Sequence, residues 1–231
     1  KCFTIGTKFL WTAGGWFDYV NMRTHGFDFH MQLANGEVPW TDDRVRETFA
    51  NWRELIDMGA FVDNHQTYSW QEALPFMVNG EAAAYLMGNF AVAPLREAGL
   101  TDDQLDFYQF PAITEGVAMA EDAPTDTFHI PANANNKEAA REFLRFVVSA
   151  EEQTVINNGQ NLGQLPVNAS ASIDDDKFLE QGSGLVHIVL KALNGFLACL
   201  RSLAHIAAIG HVGKIGGQSL GPVGRVIGNV D

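Results

Sequence analysis

The chain has 231 residues, 46% of them hydrophobic, and a formal charge of −13. That is enough apolar material for one large packed unit or two small ones, and too much for a disordered chain. A surface this acidic excludes nucleic acid and anionic membranes as partners, since both are held by basic patches, and suits a binder of neutral or cationic small molecules.

The opening KCFTIGTKFL has no initiator Met, basic leader or apolar leader segment, so the chain is expected to be a piece of a longer one. The two cysteines, Cys2 and Cys199, are too few and too far apart for a disulfide framework or a zinc site. A single bridge between them stays open, because geometry decides it.

Charge is unevenly spread. After Ser183 the only acidic residue is Asp231, so the last 48 residues carry +3 and the body −16, and the tail holds nine of the 22 glycines. This divides the chain into a body, 1–183, and an atypical tail, 184–231. The tail is either a basic interaction arm or sequence unrelated to the body, such as a displaced reading frame.

In chain order, Thr41 precedes a helix over DDRVRETFANWRELIDMG, with Val45, Phe49, Trp52 and Ile56 as its apolar face and Gly59 beyond its end. Ser69 and Glu72 make a capping box for a helix through WQEALPFMV, bent at Pro75 and ended by Gly80. Ala82–Met87 reads as a short buried strand, followed by a helix over Ala91–Ala98 ending at Gly99. Strands are expected at Asp106–Phe110 and Thr127–Ile130, each stopped by a proline. Lys137–Ser149 is an amphipathic helix with Ala140, Phe143, Leu144 and Val147 on one face. Ser149 and Glu152 cap a further helix to Asn157, and NLGQLPVN is a loop. Helices alternating with single strands imply an α/β layered unit.

Several motifs fail as chemistry. Gly217-Gln218-Ser219-Leu220-Gly221 matches a nucleophile elbow, but Pro222 and Gly224 oppose the helix it needs and no His follows. Gly213-Lys214 lacks the rest of a phosphate loop. His25 and His30 miss the spacing of helical metal pairs, and His65 and His129 are scattered. The pairs Asp42/Asp43 and Asp102/Asp103 and the run Asp174–Asp176 sit at helix starts or in polar loops, where capping and solvation account for them. No metal site, cofactor site or catalytic residue is assigned. Leu185–Ile209 is long enough to span a bilayer, but Lys191, Asn194 and Arg201 interrupt it, at about 2.5–3.5 kcal/mol per central charge. An amphipathic helix is the expectation there.

The segment from Phe9 to Tyr19 packs five aromatics and Gly14-Gly15 into eleven residues. Rings on a flexible turn would make flat faces for the C–H side of a sugar, with Asp18 accepting hydroxyl protons; the alternative is that the rings are core.

Taken in order, this opening, WTDDRV with LIDMGAF, then FMVNGEAAAYLMGNF, DFYQFPAI, TFHIPANANNKEAAREFLRFVVSAEEQ and LGQLPVN resemble the extracellular solute-binding proteins of ABC importers, family 1, over about residues 4–180. The resemblance implies a two-lobed type II periplasmic-binding-protein α/β fold, of which this chain is the second lobe and return crossover. It also implies a ligand cleft between lobes, a carbohydrate or polyol ligand, ABC permease subunits as partners, a monomer, and a periplasmic or extracellular location. It matches sugar-stacking aromatics to Trp11 and Trp16, a third to the Gly88-Asn89-Phe90 turn where many relatives carry Trp, and a polar contact segment to Asp126-Thr127. Tyr68 and Trp70 are weaker matches. With half the cleft wall absent, binding by this chain alone is expected to be impaired. Two other classes remain open: a carbohydrate-active hydrolase with facing carboxylates, and an interaction module docked by its basic tail.

Overall fold

A short strand whose residues are all apolar can be buried on both faces, and Ala84–Met87 is placed that way. In the computed structural model of the chain, which describes residues 1–158, 161–174, 176–184 and 188–192, all four of its residues are buried. Ala84 and Leu86 join one core with Phe3, Trp16, Val20 and Phe110, while Tyr85 and Met87 join a second with Leu74, Met77, Leu95 and Phe178. Alternation along one strand therefore separates two helical layers, giving an α/β/α sandwich.

The elements run β1 (Phe3–Thr4), α1 (Trp11–His25), α2 (Phe27–Ala34), α3 (Asp43–Asp57), α4 (Leu74–Val78), β2 (Ala84–Met87), α5 (Val92–Glu97), β3 (Leu105–Tyr108), α6 (Lys137–Val147), α7 (Ala150–Asn157), α8 (Lys177–Gly184) and β4 (Ile188–Ala192). The strand order is β1-β2-β4-β3. β1 is parallel to β2, with Phe3 opposite Ala84, and β4 runs antiparallel between β2 and β3, pairing Tyr85 with Leu190 and Phe107 with Leu190. The segment after Ser183 thus supplies a strand between two strands of the body. The rest of the tail, including Cys199 and the 217–221 motif, lies outside the described residues. So does most of the amphipathic helix expected over 185–209, of which Ile188–Ala192 forms strand instead.

Local expectations fare unevenly. The capping box is present in both directions: Ser69 N–H donates to Glu72 Oε2 (2.7 Å) and Glu72 N–H to Ser69 Oγ (3.2 Å). The regular helix starts only at Leu74, with Pro75 in its first turn, so the proline begins the helix rather than bending it. On α3 the buried residues are Val45, Thr48 and Leu55, while Phe49 and Ile56 are about half exposed. The face turns toward Thr48 because its hydroxyl is satisfied there, accepting from Asn21 Nδ2 (3.0 Å) and donating to the Arg44 carbonyl (3.0 Å). Thr127–Ile130 is not a strand: it lies in an irregular, largely exposed stretch with no strand pairing among the described residues. On α6 no residue is fully buried, and Phe143 and Phe146 are more than half exposed.

Two guanidiniums tie loops to helices, one in each layer. Arg96 on α5 donates to Asp102 (2.8 and 2.9 Å) and to Asp176 (2.5 Å), whose other carboxylate oxygen caps α8 through the Phe178 and Leu179 N–H groups. Arg23 on α1 is 1% exposed and donates to the Phe110 carbonyl (3.0 Å), the Ala120 carbonyl and Glu121 (2.5 Å). Replacing Arg23 by Met removes the cationic partner of Glu121 and the side-chain donor to two carbonyls. Breaking one side of such a pair costs on the order of 3 kcal/mol, so Arg23→Met is expected to lose that much in urea denaturation. A loss below about 1 kcal/mol, the range of an exposed pair, would show that the network adds nothing.

Candidate functional site

The site is built from three loops at one end of α1. After β1 the chain crosses under the 65–69 segment: Thr7 N–H donates to the His65 carbonyl (2.9 Å) and Lys8 N–H to the Tyr68 carbonyl (2.9 Å). Gly6 permits this approach. A Cβ there would lie 2.1 Å from the Ser69 carbonyl oxygen, closer than any side chain allows. Thr12 Oγ1 donates to the Gly6 carbonyl (2.6 Å), fixing where α1 begins. The aromatic segment is therefore the start of a helix, not a flexible turn, and Gly14-Gly15 lie within it.

This helix separates the aromatic candidates. Trp16 is 1% exposed and edge-packed on Phe3, Phe61 and Phe110 at centroid distances of 5.0, 4.9 and 5.7 Å. Its ring belongs to the core and offers no face to a solute in this arrangement. Trp11 is 50% exposed at the first turn, 6.5 Å from the Phe90 ring. Phe90 is half-buried and stands edge-on to Trp70 at 5.2 Å, while Tyr85 Oη donates to the Trp70 carbonyl (3.1 Å). The rings brought together are thus Trp11, Phe90 and Trp70. Phe9 and Leu10, beside Trp11, are exposed as well.

Asn89 precedes Phe90 in this turn, its Nδ2 buried without a hydrogen-bond partner among the described residues. The Phe90 ring folds back over Gly88: a Cβ at Gly88 would meet Phe90 Cε1 at 2.3 Å. Gly14 and Gly15 meet nothing within 4 Å, leaving the helix surface between Trp11 and Asp18 open. Asp18 follows Trp11 by seven residues, so it lies on the same side of α1, roughly 10 Å further along. It is half-buried with a long contact to His30 (3.9 Å). Burial raises its carboxyl above the ordinary 3.8; His30 opposes that shift and nearby Asp122 adds to it. Asp126 and Thr127 are exposed on the irregular stretch, Thr127 Oγ1 bonding His129 Nε2 (2.7 Å), and no described contact ties them to the rings.

Sequence reasoning missed the network beside Asp18. Tyr19 Oη donates to Glu121 (3.0 Å), Gln109 Nε2 donates to the same carboxylate (2.7 Å), and Arg23 completes it. Desolvation, with Glu121 alongside, pushes the Tyr19 phenol well above its ordinary range. No periodicity signals this, because the partners lie about 100 residues apart. Among the described residues no cluster of three or more His, Cys, Asp or Glu is arranged to hold a metal, and no helix is long and apolar enough to cross a membrane.

Two outcomes follow. Gly88→Ala forces the Phe90 ring off its seat; overpacking of this kind costs about 1–3 kcal/mol, and Gly88→Ala combined with Phe90→Ala is expected to recover part of that cost in thermal denaturation. For Asp18, a raised folded pKa means stability is full below the ordinary carboxylate range and falls as pH rises through the folded value. Asp18→Asn is therefore expected to match the parent at about pH 3 and to melt higher at about pH 7. A lower melting point at neutral pH would show that the ionised carboxylate stabilises the fold.

Comparison with known proteins bears on the family and the fold. Residues 4–154 match the family model described as bacterial extracellular solute-binding protein. Two uncharacterised ABC transporter extracellular-binding proteins of Pyrococcus horikoshii are 27% and 31% identical over 172 and 171 residues, 74% of this chain but 37% of theirs. The chain thus spans little more than a third of the length of these relatives. Among solved structures, the bacterial solute receptor AcbH, characterised by an exclusive preference for β-D-galactopyranose, superposes with a TM-score of 0.69 at 28% identity, over 80% of this chain and 47% of that one. The α/β architecture is that of a lobe of a periplasmic-binding-protein fold, and the chain belongs to the bacterial extracellular solute-binding protein family.

Proposed function

We propose that the protein is the substrate-binding component of an ABC importer, taking a carbohydrate or polyol against the Trp11–Phe90–Trp70 face and passing it to permease subunits. The observation that carries this is the pairing of a half-exposed Trp11 with Phe90, 6.5 Å apart, beside the buried Nδ2 of Asn89, which has no hydrogen-bond partner among the described residues. Rings offer the flat apolar surface that a sugar's C–H face seeks, and an unpartnered amide offers a donor to a hydroxyl. Asp18, on the same side of α1 as Trp11, is a candidate acceptor; Asp126 and Thr127, on the exposed irregular stretch, are further candidates, and Trp16 is assigned to packing. The galactose preference of AcbH supports a carbohydrate ligand. The family's character supports a periplasmic or extracellular setting, a permease partner and a monomeric binder that does no chemistry. Binding by this chain alone is expected to be weak, since closure around a solute draws on contacts from two walls.

The test is calorimetric titration of the 231-residue chain with D-galactose, other monosaccharides, glycerol and amino acids. Saturable binding of at least one sugar is expected, and Trp11→Ala is expected to weaken it about tenfold. Binding of an amino acid with no response to any sugar or polyol would overturn the carbohydrate assignment and leave the family intact.

A further inference from the structure

We infer that the solute-binding face continues along α1 to a second ring platform, Trp40 laid on Phe17, so that the site takes a chain of linked sugars and not only a single one. This rests on the reading of the Trp11–Phe90–Trp70 face as a sugar-binding surface. The observation is a notch in α1. Trp11, Gly14 and Phe17 are spaced i, i+3, i+6, and residues three apart are neighbours on a helix surface. Trp11 is half exposed, Gly14 is exposed, and a Cβ at Gly14 would meet nothing within 4 Å. The middle of this row is therefore an open gap between two aromatic positions, with bare backbone as its floor.

The far side of the notch is built of rings. Phe17 is buried against Phe29, Leu33 and Val45, and two exposed rings lie on it. Trp40 is 5.4 Å away by centroids with its plane tilted 36°, and Phe49 is 5.1 Å away, tilted 37°. Trp40 stands two residues before Asp42, the cap of α3, and Phe49 lies within that helix. Phe17 covers one side of the Trp40 ring, while an exposure of 60% leaves the other side to solvent. Tryptophan is on average a highly buried residue, and no cover for this ring exists among the described residues. The exposure of Phe49 on α3, unexpected from its apolar spacing, belongs to the same platform.

Each ring set has an under-satisfied polar group beside it. At the first it is Asn89 Nδ2. At the second it is Asp18, which follows Phe17 and is the i+4 neighbour of Gly14. Its carboxylate is half-buried and 3.9 Å from His30 Nε2, and His30 Nδ1 is buried without a hydrogen-bond partner among the described residues. Ring, polar group, gap, ring, polar group is the pattern that a chain of sugars matches, since every unit carries a C–H face and hydroxyls. The span decides against a single sugar. Six residues of helix separate Trp11 from Phe17, roughly 9 Å, whereas stacked rings lie about 4.5–7 Å apart by centroids. One sugar stacked at either end therefore covers that end alone.

The experiment is calorimetric titration of the full 231-residue chain with D-galactose, D-glucose and linear tetrasaccharides of β-1,4-galactose, β-1,4-glucose and α-1,4-glucose. At least one tetrasaccharide is expected to bind more tightly than its monosaccharide. Trp40→Ala is expected to weaken that tetrasaccharide about tenfold and to leave the monosaccharide within about twofold. Trp40→Phe, which keeps a ring on Phe17, is expected to recover most of the loss, and Gly14→Leu, which fills the notch, to act on the tetrasaccharide as Trp40→Ala does. Trp11→Ala weakens both lengths. Tetrasaccharides that bind no better than monosaccharides, or that do not respond to Trp40→Ala, overturn the second platform and leave the sugar-binding reading standing, because Trp11→Ala still acts on the monosaccharide. Equal loss of both lengths in Trp40→Ala, restored for both by Trp40→Phe, assigns the ring to packing and also overturns it. If no sugar of either length binds, the sugar reading itself falls, and the extension with it.

Discussion

The buried guanidinium of Arg23 is the constraint on which the arrangement around α1 depends. A charge at 1% exposure is tolerable only if every donor direction is filled and an opposite charge is close. Here the partners all come from the chain leaving β3: the carbonyls of Phe110 and Ala120 and the carboxylate of Glu121. The stretch 109–122 has almost no regular structure of its own, so this set of bonds decides where it runs. Tyr19 and Gln109 take up the remaining capacity of Glu121, and the Tyr19 ring stacks on Phe110 at 5.2 Å. Apolar and polar anchoring thus act at the same place: Phe110 is held by its ring in the Trp16 cluster and by its carbonyl on Arg23.

Helix geometry then explains why two tryptophans with the same sequence credentials take opposite positions. Residues five apart on an α-helix differ by roughly 140° around the axis, so Trp11 and Trp16 cannot share a face. With Trp16 committed to Phe3, Phe61 and Phe110, Trp11 is directed away from that core. That conclusion was available once the segment was treated as helix. The pair Gly14-Gly15 argued for a turn instead, and the favourable contacts that override low helix propensity come from residues far along the chain. Trp70 lacks a local signal for a related reason: its nearness to Phe90 follows from loop approach at Gly6 and the Tyr85 hydroxyl bond, neither of which is visible in neighbouring residues.

What was legible in the sequence is what is decided locally. The α3 start, with Asp42 accepting from Arg44 N–H, the Ser69–Glu72 box, the Ser149 cap and the buried β2 strand all rest on residues within a few positions of each other. What was not legible is decided by partners. Thr127–Ile130 has suitable residues for a strand and no neighbour to pair with among the described residues, whereas Ile188–Ala192 has neighbours on both sides. The stripe of Ala140, Phe143, Leu144 and Val147 makes α6 amphipathic, yet amphipathicity states only that a face seeks cover, not that this chain supplies it.

The contrast between Arg23 and Asp18, five residues apart on one helix, separates structural from functional polarity. Arg23 is charged, fully buried and hydrogen-bonded through all three of its guanidinium nitrogens, which is how a fold offsets the cost of a buried ion. Asp18 is half-buried, has among the described residues a single long contact, 3.9 Å to His30, and has its carboxyl pushed upward by desolvation. Asn89 is similar: a buried amide nitrogen with no partner among the described residues. Polar groups that a fold leaves under-satisfied weaken it, and their retention beside exposed rings and an open helix surface has a physical rationale if a ligand's hydroxyls complete them. If this face takes the proposed sugar, the same incompleteness that lowers the stability of the ligand-free lobe supplies affinity, because a donor or acceptor already withdrawn from water loses little more when a solute arrives.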